Sequence, residues 1–378
     1  MKTIRKNNLA LLETTVAIVR CPDYNPENLQ QAISRLAQLL RLDFSRVNSP
    51  ILLKPNMLSA RSPQEAVTTH PHLLLALGKL LASPILIGDS PANSARPVED
   101  YWQDCGLKEV ASRLNARLVK FDQPVFVSLR VKKKLIDVPL AAASQKWPII
   151  NLPKLKTHSL TLITAAVKNL YGCIPGFKKS LLHSQFVSPQ DFCWLLLELY
   201  RKIERNVLLH LVDAITIMDG KGPSAGRVRP GGYLIAGVDG IAVDMVCAEL
   251  LGLKPVQVPH LHLWNQFYSL PQVTVTGDSL VALRDVDLPG VTFPLQLLKF
   301  PFFNQLFSAL RPFFSIFPEI DQKSCQQCLA CVQVCPVKAI LKPPDICLSR
   351  CIRCLCCFEV CPYRAIRLRK SFLAKCLT

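Results

Sequence analysis

Ten of the sixteen cysteines in this chain lie between residues 325 and 361, in two blocks of one design. The first block is Cys325, Cys328, Cys331, Cys335 and Pro336, and the second is Cys351, Cys354, Cys357, Cys361 and Pro362. Each reads C-x2-C-x2-C-x3-C-P. Steps of three residues let several thiolates converge from one tight turn, and the proline fixes φ where that turn ends. This is the spacing that holds [4Fe–4S] clusters. Zinc sites pair C-x2-C units across a longer spacer, so the blocks predict iron–sulfur chemistry over zinc or a disulfide scaffold.

The repeat extends beyond the cysteines. Cys335-Pro336-Val337-Lys338-Ala339-Ile340 aligns with Cys361-Pro362-Tyr363-Arg364-Ala365-Ile366 at a constant shift. The duplicated unit resembles the two-cluster bacterial ferredoxins. That resemblance implies cross-ligation, in which the fourth cysteine of each block serves the other block's cluster. One [4Fe–4S] cluster would take Cys325, Cys328, Cys331 and Cys361, and the other Cys351, Cys354, Cys357 and Cys335. Cys347 and Cys356 fall outside the spacing and are read as packing thiols or groups beside a cluster.

The chain has 378 residues, which suggests two or three domains. The remaining cysteines are scattered through apolar surroundings, where free cysteine behaves as a small hydrophobe. Cluster thiolates need a reducing compartment, so a cytoplasmic location is expected. Glu13 interrupts the apolar run near the N-terminus, which reads as a first β-strand rather than a signal peptide. No window of 18 residues is continuously apolar, so no transmembrane helix is expected. The net charge of +18 admits a solvated surface, an anionic ligand or an acidic redox partner. Lys and Arg are spread along the chain rather than in one stripe, so nucleic acid is not expected as a partner.

Residues 1–287 alternate strands and helices, which predicts an α/β domain with a mostly parallel or mixed sheet and flanking helices. Strands are expected at 50–54, 84–88, 117–121, 147–152, 208–215 and 232–238. Helices are expected over Pro26 to Leu42, Pro71 to Leu81, Val98 to Leu114, Leu160 to Leu170 and Pro189 to Ile203. Residues 288–318 hold eight phenylalanines and five prolines with only Lys299 and Arg311 as charges. They read as a linker packed by its aromatics, or as a peripheral membrane-surface segment; the prolines forbid one long helix and favour packing. Residues 319–378 form the small C-terminal ferredoxin-like α+β module.

Within the body, ILLKPN at 51–56, IGDSP at 87–91, LPKLKTH at 152–158, AVKNLYG at 166–172 and MDGKGPSAG at 218–226 occur in one order. With the double cysteine block they resemble the iron–sulfur protein family named for domain of unknown function 362. The resemblance covers essentially the whole chain and implies no assigned reaction. Read physically, Lys54 and Asn56 leave a strand through Pro55, and groups at strand ends commonly build α/β sites. Lys154, Lys156 and His158 share one face if extended. A helix expected from Ser159 would present backbone N–H groups to an anion, and Lys168 and Asn169 would close it. Gly220, Lys221 and Gly222 lie in a glycine-rich loop that permits close approach to a ligand. Lys54, Lys156 and His158 are candidate catalytic residues. Asn56, Lys154, Lys168, Asn169, Gly220, Lys221 and Gly222 are candidates for holding a substrate or cofactor. Asp89 and Ser90 are placed near the same crevice, Asp239 is read as a helix cap, and His70 as a cap, core or catalytic histidine. The expected protein is an electron-transfer protein, either a redox enzyme acting on a small anion or a carrier or assembly partner without a substrate, and in both cases it meets a redox protein partner.

Overall fold

The structure is a computed structural model that describes residues 14–91, 96–186, 188–289 and 316–371. It shows the α/β body and the small C-terminal module. The segment 290–315, and with it the question of packing or membrane contact there, lies outside the described residues.

The body is built on a ten-stranded mixed sheet. In chain order its strands are β1 (Thr15–Arg20), β2 (Ile51–Pro55), β3 (Ile85–Ile87), β4 (Arg117–Leu118), β7 (Ile149–Leu152), β8 (Lys154–His158), β9 (Leu162–Thr164), β10 (Val207–Asp219), β11 (Arg227–Gly237) and β12 (Thr274–Gly277). A separate hairpin joins β5 (Pro124–Val131) to β6 (Lys134–Ala141). The main path runs β12-β1-β11-β10-β7-β2-β3-β4. Strands β10, β7, β2, β3 and β4 are parallel, while β11 pairs antiparallel with both β1 and β10.

Side chains alternate across the sheet, as the two-residue period of a strand requires. Val16 and Ile18 of β1 enter one core with Leu52 and Ile149, while Ala17 and Val19 enter the other with Ile51, Leu53 and Ile150. Because both faces are covered, the central strands are apolar throughout rather than alternating. Helices α1 (Pro26–Leu39), α2 (Pro71–Gly78), α3 (Val98–Asp104) and α4 (Leu107–Arg113) cover one face. The short α5 (Ala142–Lys146) and α6 (Ala166–Asn169) lead to α7 (Lys178–Gln185) and α8 (Pro189–Ile203). With α9 (Gly240–Leu250) and α10 (Pro259–Tyr268), α8 covers the other face. The start of α8 follows the local rules: Ser188 accepts the Asp191 N–H, Pro189 opens the helix, and Arg201 and Lys202 occupy its last turn. Asp239 caps α9 by accepting the Ile241 and Ala242 N–H groups. His70 caps α2 through its ring nitrogen and stacks on Tyr24 at 3.7 Å.

Two expected helices are different in the structure. The run from Val98 to Leu114 is broken into α3 and α4 at Gly106, which adopts φ +74. The helix expected from Leu160 is instead a turn and a strand: β8 folds back antiparallel onto β9. Thr161, Ile163 and Thr164 are β-branched and suit a strand, and His158 Nδ1 accepts the Leu160 and Thr161 N–H groups at 3.0 and 3.3 Å. No helix N-terminus therefore opens at Ser159. The helix begins only at Ala166, where buried Asp244 accepts the Ala166 and Val167 N–H groups.

The module carries β13 (Ile316–Ile320) paired antiparallel with β14 (Ile366–Lys370), and two short helices in contact, α11 (Ala330–Val334) and α12 (Cys356–Val360). The sequence repeat is also a backbone repeat. Positive φ recurs in matched pairs at Gln327 and Arg353, Leu329 and Leu355, and Lys338 and Arg364.

Candidate functional site

The cysteines form two groups. Cys331 has Cys328, Cys361 and Cys325 as electrostatic neighbours, and Cys351 has Cys354 and Cys335. Cys335, Cys351, Cys354 and Cys357 line one cavity with Ile340, Ile346 and Leu355. Four thiols around one cavity, three of them at the C-x2-C-x2-C spacing, suit a cubane. Burial and neighbouring thiols push Cys331 up to about 11 and Cys357 well above the usual thiol range, a cost that a metal offsets by taking the thiolate. Ala339 N–H donates to Cys335 Sγ at 3.1 Å and Ala365 N–H to Cys361 Sγ at 3.3 Å, at matched positions of the repeat. Such donors favour negative charge on sulfur. The donor set, the apolar cavity and these N–H groups all suit iron–sulfur clusters, which supply one-electron transfer when bound.

The module docks on the body at several points. Arg61 donates to the Cys361 carbonyl at 2.9 Å and pairs with Glu65, which also pairs with Arg364. Ser224 donates to the Phe358 carbonyl, and Ala225 packs against the module's apolar core. Between body and module lies a small cleft open to solvent. From the body it is lined by Asn56, Asp89, Lys168, Asn169, Lys179 and His183 among others; from the module, by Val334, Cys356, Glu359 and Val360. It sits where the parallel strands β2, β3 and β7 end, the usual place for a site in this architecture.

Each wall has a physical cause. Lys54 Nζ lies 2.8 Å from Asp89 Oδ1, with both side chains buried, and Met57 N–H donates to Asp89 Oδ2. Gly172 makes room for this pair: a Cβ there would stand 2.1 Å from Asp89 Oδ1 and 2.7 Å from Lys54 Nζ. Lys156 lies behind the cleft and donates to Asn56 Oδ1 and the Val67 carbonyl, both at 2.7 Å. Asn56 in turn donates to Asn169 Oδ1 at 2.9 Å, and Asn169 to Asn151 Oδ1 at 2.8 Å. This chain of amides fixes the side chains that face the cleft. Asp244 caps α6 while held by His260 at 2.8 Å, and so sets the position of Lys168.

Glu359 is the module's charged contribution. Its Oε1 lies 3.1 Å from His158 Nε2. Because His158 Nδ1 accepts two backbone N–H groups, its proton resides on Nε2, facing the carboxylate. Burial pushes His158 and His183 down to about 4, so both are neutral at neutral pH. Burial opposes the Glu359 charge, but His158, Lys168 and His183 outweigh it and pull the carboxyl down to about 2. Burial also lowers Lys156 well below the ordinary lysine range, helped by Lys168, and lowers Lys168 despite Glu359. Lys179, buried and donating to the Ile174 carbonyl, falls to about 7.

Of the residues singled out from sequence, Asn56, Lys168 and Asn169 line the cleft, and Lys54, Lys156 and His158 hold the lining from behind. Lys154 lies elsewhere, in a buried ion pair with Asp213 at 2.9 Å, with Tyr24 and Thr216 as further partners. Gly220, Lys221 and Gly222 do not line the cleft either. Lys221 is exposed, Gly220 bonds to the Asp287 carbonyl, and a Cβ on Gly222 would stand 2.1 Å from the Thr157 carbonyl. The loop closes on β8 and supports the docked module. Tyr171, Lys179, His183 and Glu359 were not apparent in the sequence. For Glu359 a signal existed: its counterpart in the repeat is Gln333, and the counterpart of Cys356 is Ala330. Both positions depart from the duplicated pattern, and both residues line the cleft.

An α/β body clasping a cysteine-rich, cluster-holding module defines an iron–sulfur protein of two parts. The model of the family "Domain of unknown function (DUF362)" matches residues 51–249, and that of the "4Fe-4S binding domain" matches residues 318–341. The chain belongs to the DUF362 family. A thylakoid-associated protein of Synechocystis sp. is 30% identical over 259 residues, spanning 65% of this chain and 77% of the relative. No solved structure matches the chain. No helix among the described residues is long and apolar enough to cross a membrane.

Proposed function

We propose that this protein is a two-cluster redox protein that passes electrons from its module to a small anion held in the cleft. The observation that supports it best is the shared wall: the body supplies Lys168 and Lys179, the module supplies Cys356 and Glu359, and the cleft exists only when both are in place. Cys325, Cys328, Cys331 and Cys361 would hold one [4Fe–4S] cluster, and Cys335, Cys351, Cys354 and Cys357 the other. Lys168 and Lys179 attract the anion, Asn56 and Asn169 orient it, and the Lys54–Asp89 pair keeps the floor rigid. His158 carries a proton on Nε2 toward Glu359, which lies on the ligand side. An external redox protein supplies the electrons. The reading places the protein in a reducing compartment such as the cytoplasm, and the relative's thylakoid association fits peripheral contact with a membrane.

Anaerobically purified protein is expected to carry about eight irons per chain, two cubanes' worth. Native mass spectrometry should show a retained small anion. About four irons would remove the two-cluster reading, and a ligand-free holo-protein would favour a carrier without a substrate.

Lys179 makes binding pH-dependent. Sulfate keeps its charge between pH 6 and 8, whereas Lys179 loses its proton near 7. Sulfate affinity is expected to fall by about tenfold over that range, the change in the charged fraction of a group titrating at 7, and Lys179→Met should flatten the profile. The same shift has a sign for stability. Between about 7 and the ordinary lysine range the unfolded chain binds the extra proton, so this group's contribution to stability rises with pH over that window.

A further inference from the structure

We propose that the seat formed by Cys335, Cys351, Cys354 and Cys357 is the one that exchanges electrons with the cleft, and that α12 is the partition between them. The inference rests on the two-cluster reading above and adds which cluster faces the ligand.

The residues of α12 divide between two cavities. Cys357 lines the cluster seat, Glu359 and Val360 line the cleft, and Cys356 lines both. The facing helix repeats the arrangement: Val334 lines the cleft, and the next residue, Cys335, lines the same seat. None of Cys325, Cys328, Cys331 and Cys361 lines the cleft. The second seat and the ligand space thus share the Cys356 side chain, whereas the first seat's Cys361 follows the lining residue Val360 in the chain and itself lines neither cavity. Electron tunnelling falls steeply with distance, so the nearer seat dominates exchange with the cleft and the farther one is left to receive electrons from outside.

The charges of the cleft lie against the same partition. Lys168, partly exposed in the cleft, is within electrostatic reach of Glu359 and Cys356. Reduction adds one negative charge to a cluster. A nearby cation stabilises the reduced form and a nearby anion opposes it, by an amount that falls with separation. Lys168 and Glu359 thus bias the second cluster in opposite senses and affect the first much less. Cys356, which interrupts the cysteine spacing and stands where the first block has Ala330, is the side chain common to both cavities.

The test is a redox titration of the anaerobic holo-protein followed by electron paramagnetic resonance. Cys328→Ser and Cys354→Ser assign the two signals to their blocks. Lys168→Gln is expected to lower the potential of the second cluster, and Glu359→Gln to raise it, with the first cluster unmoved in both. Lys168 belongs to the body and touches no cluster ligand, so its variant guards against a Glu359 variant that merely loosens docking. With about eight irons per chain, a shift in the first cluster, equal shifts in both, or a shift in neither would overturn the inference while leaving the two-cluster reading intact. About four irons per chain would remove that reading and this inference with it. No ligand is needed for the titration, so a failure of anion binding does not affect its outcome.

Discussion

Lys154→Met is expected to destabilise the body by about 3–5 kcal/mol, the cost of leaving one partner of a buried ion pair alone. Lys154 and Asp213 are both fully buried, 2.9 Å apart, at the point where β8 and β10 are in register. After the substitution Asp213 would keep donors from the Tyr24 hydroxyl at 2.7 Å and the His70 N–H at 3.0 Å, but no cation would remain to offset its charge. The double variant Lys154→Met with Asp213→Asn should recover much of the loss, because a neutral amide needs no counter-ion. Urea denaturation of the three proteins, followed by circular dichroism, measures both effects. Sulfate binding to the folded fraction should be unchanged, since Lys154 lies outside the cleft. A single variant as stable as the parent would contradict the buried ion pair.

Removing the iron is expected to unfold the module while the body stays folded. The described module spans only residues 316–371, and its core is a small set including Ile320, Val334, Ile340, Phe358 and Ile366. A unit of that size needs a metal or another staple to hold its shape. Without clusters, the buried cysteines lose the partner that offsets their desolvation, and α12 loses the ligand that fixes it. Glu359 would leave His158, and Arg61 would lose the Cys361 carbonyl. Limited proteolysis with and without a chelator and oxidant should therefore cut the module first, with the body resistant. Sulfate binding should disappear at the same time, because the cleft loses the wall built by Val334, Cys356, Glu359 and Val360. A module equally resistant in both states would show that its core suffices alone.

Much of the fold was legible because it rests on local patterns. The apolar runs became β2, β3, β7, β10 and β11, and helical spacing placed α1, α2 and α8. Misreadings arose where two local signals competed. Leucine spacing over 160–170 suggests a helix, but the β-branched residues and the His158 cap close a hairpin there. The β5–β6 hairpin turns at Lys132 and Lys133, with no glycine or asparagine to mark it, and Gly106 divides a helix that periodicity joins.

The site was legible only in part. Alternation put Lys154, Lys156 and His158 on one face of an extended segment, and they are extended. Their partners differ because each meets a different neighbour: Asp213 from β10, Asn56 after β2 and Glu359 from the module. Those neighbours are distant in sequence, so no spacing rule sorts an ion pair from a ligand-facing group.

The sequence by itself determined the cysteine blocks, their duplication and the α/β character of the body, because cluster spacing and strand or helix periods are written in neighbouring residues. The tertiary structure decided the rest. It placed the cleft between body and module, set Lys168 and Lys179 in its wall, removed Lys154 and the glycine loop from it, and made Cys356 and Glu359 part of it. The physical reason is that a residue's burial and charge partners are set by which segments pack together, and here those segments lie as far apart as Asn56 and Glu359.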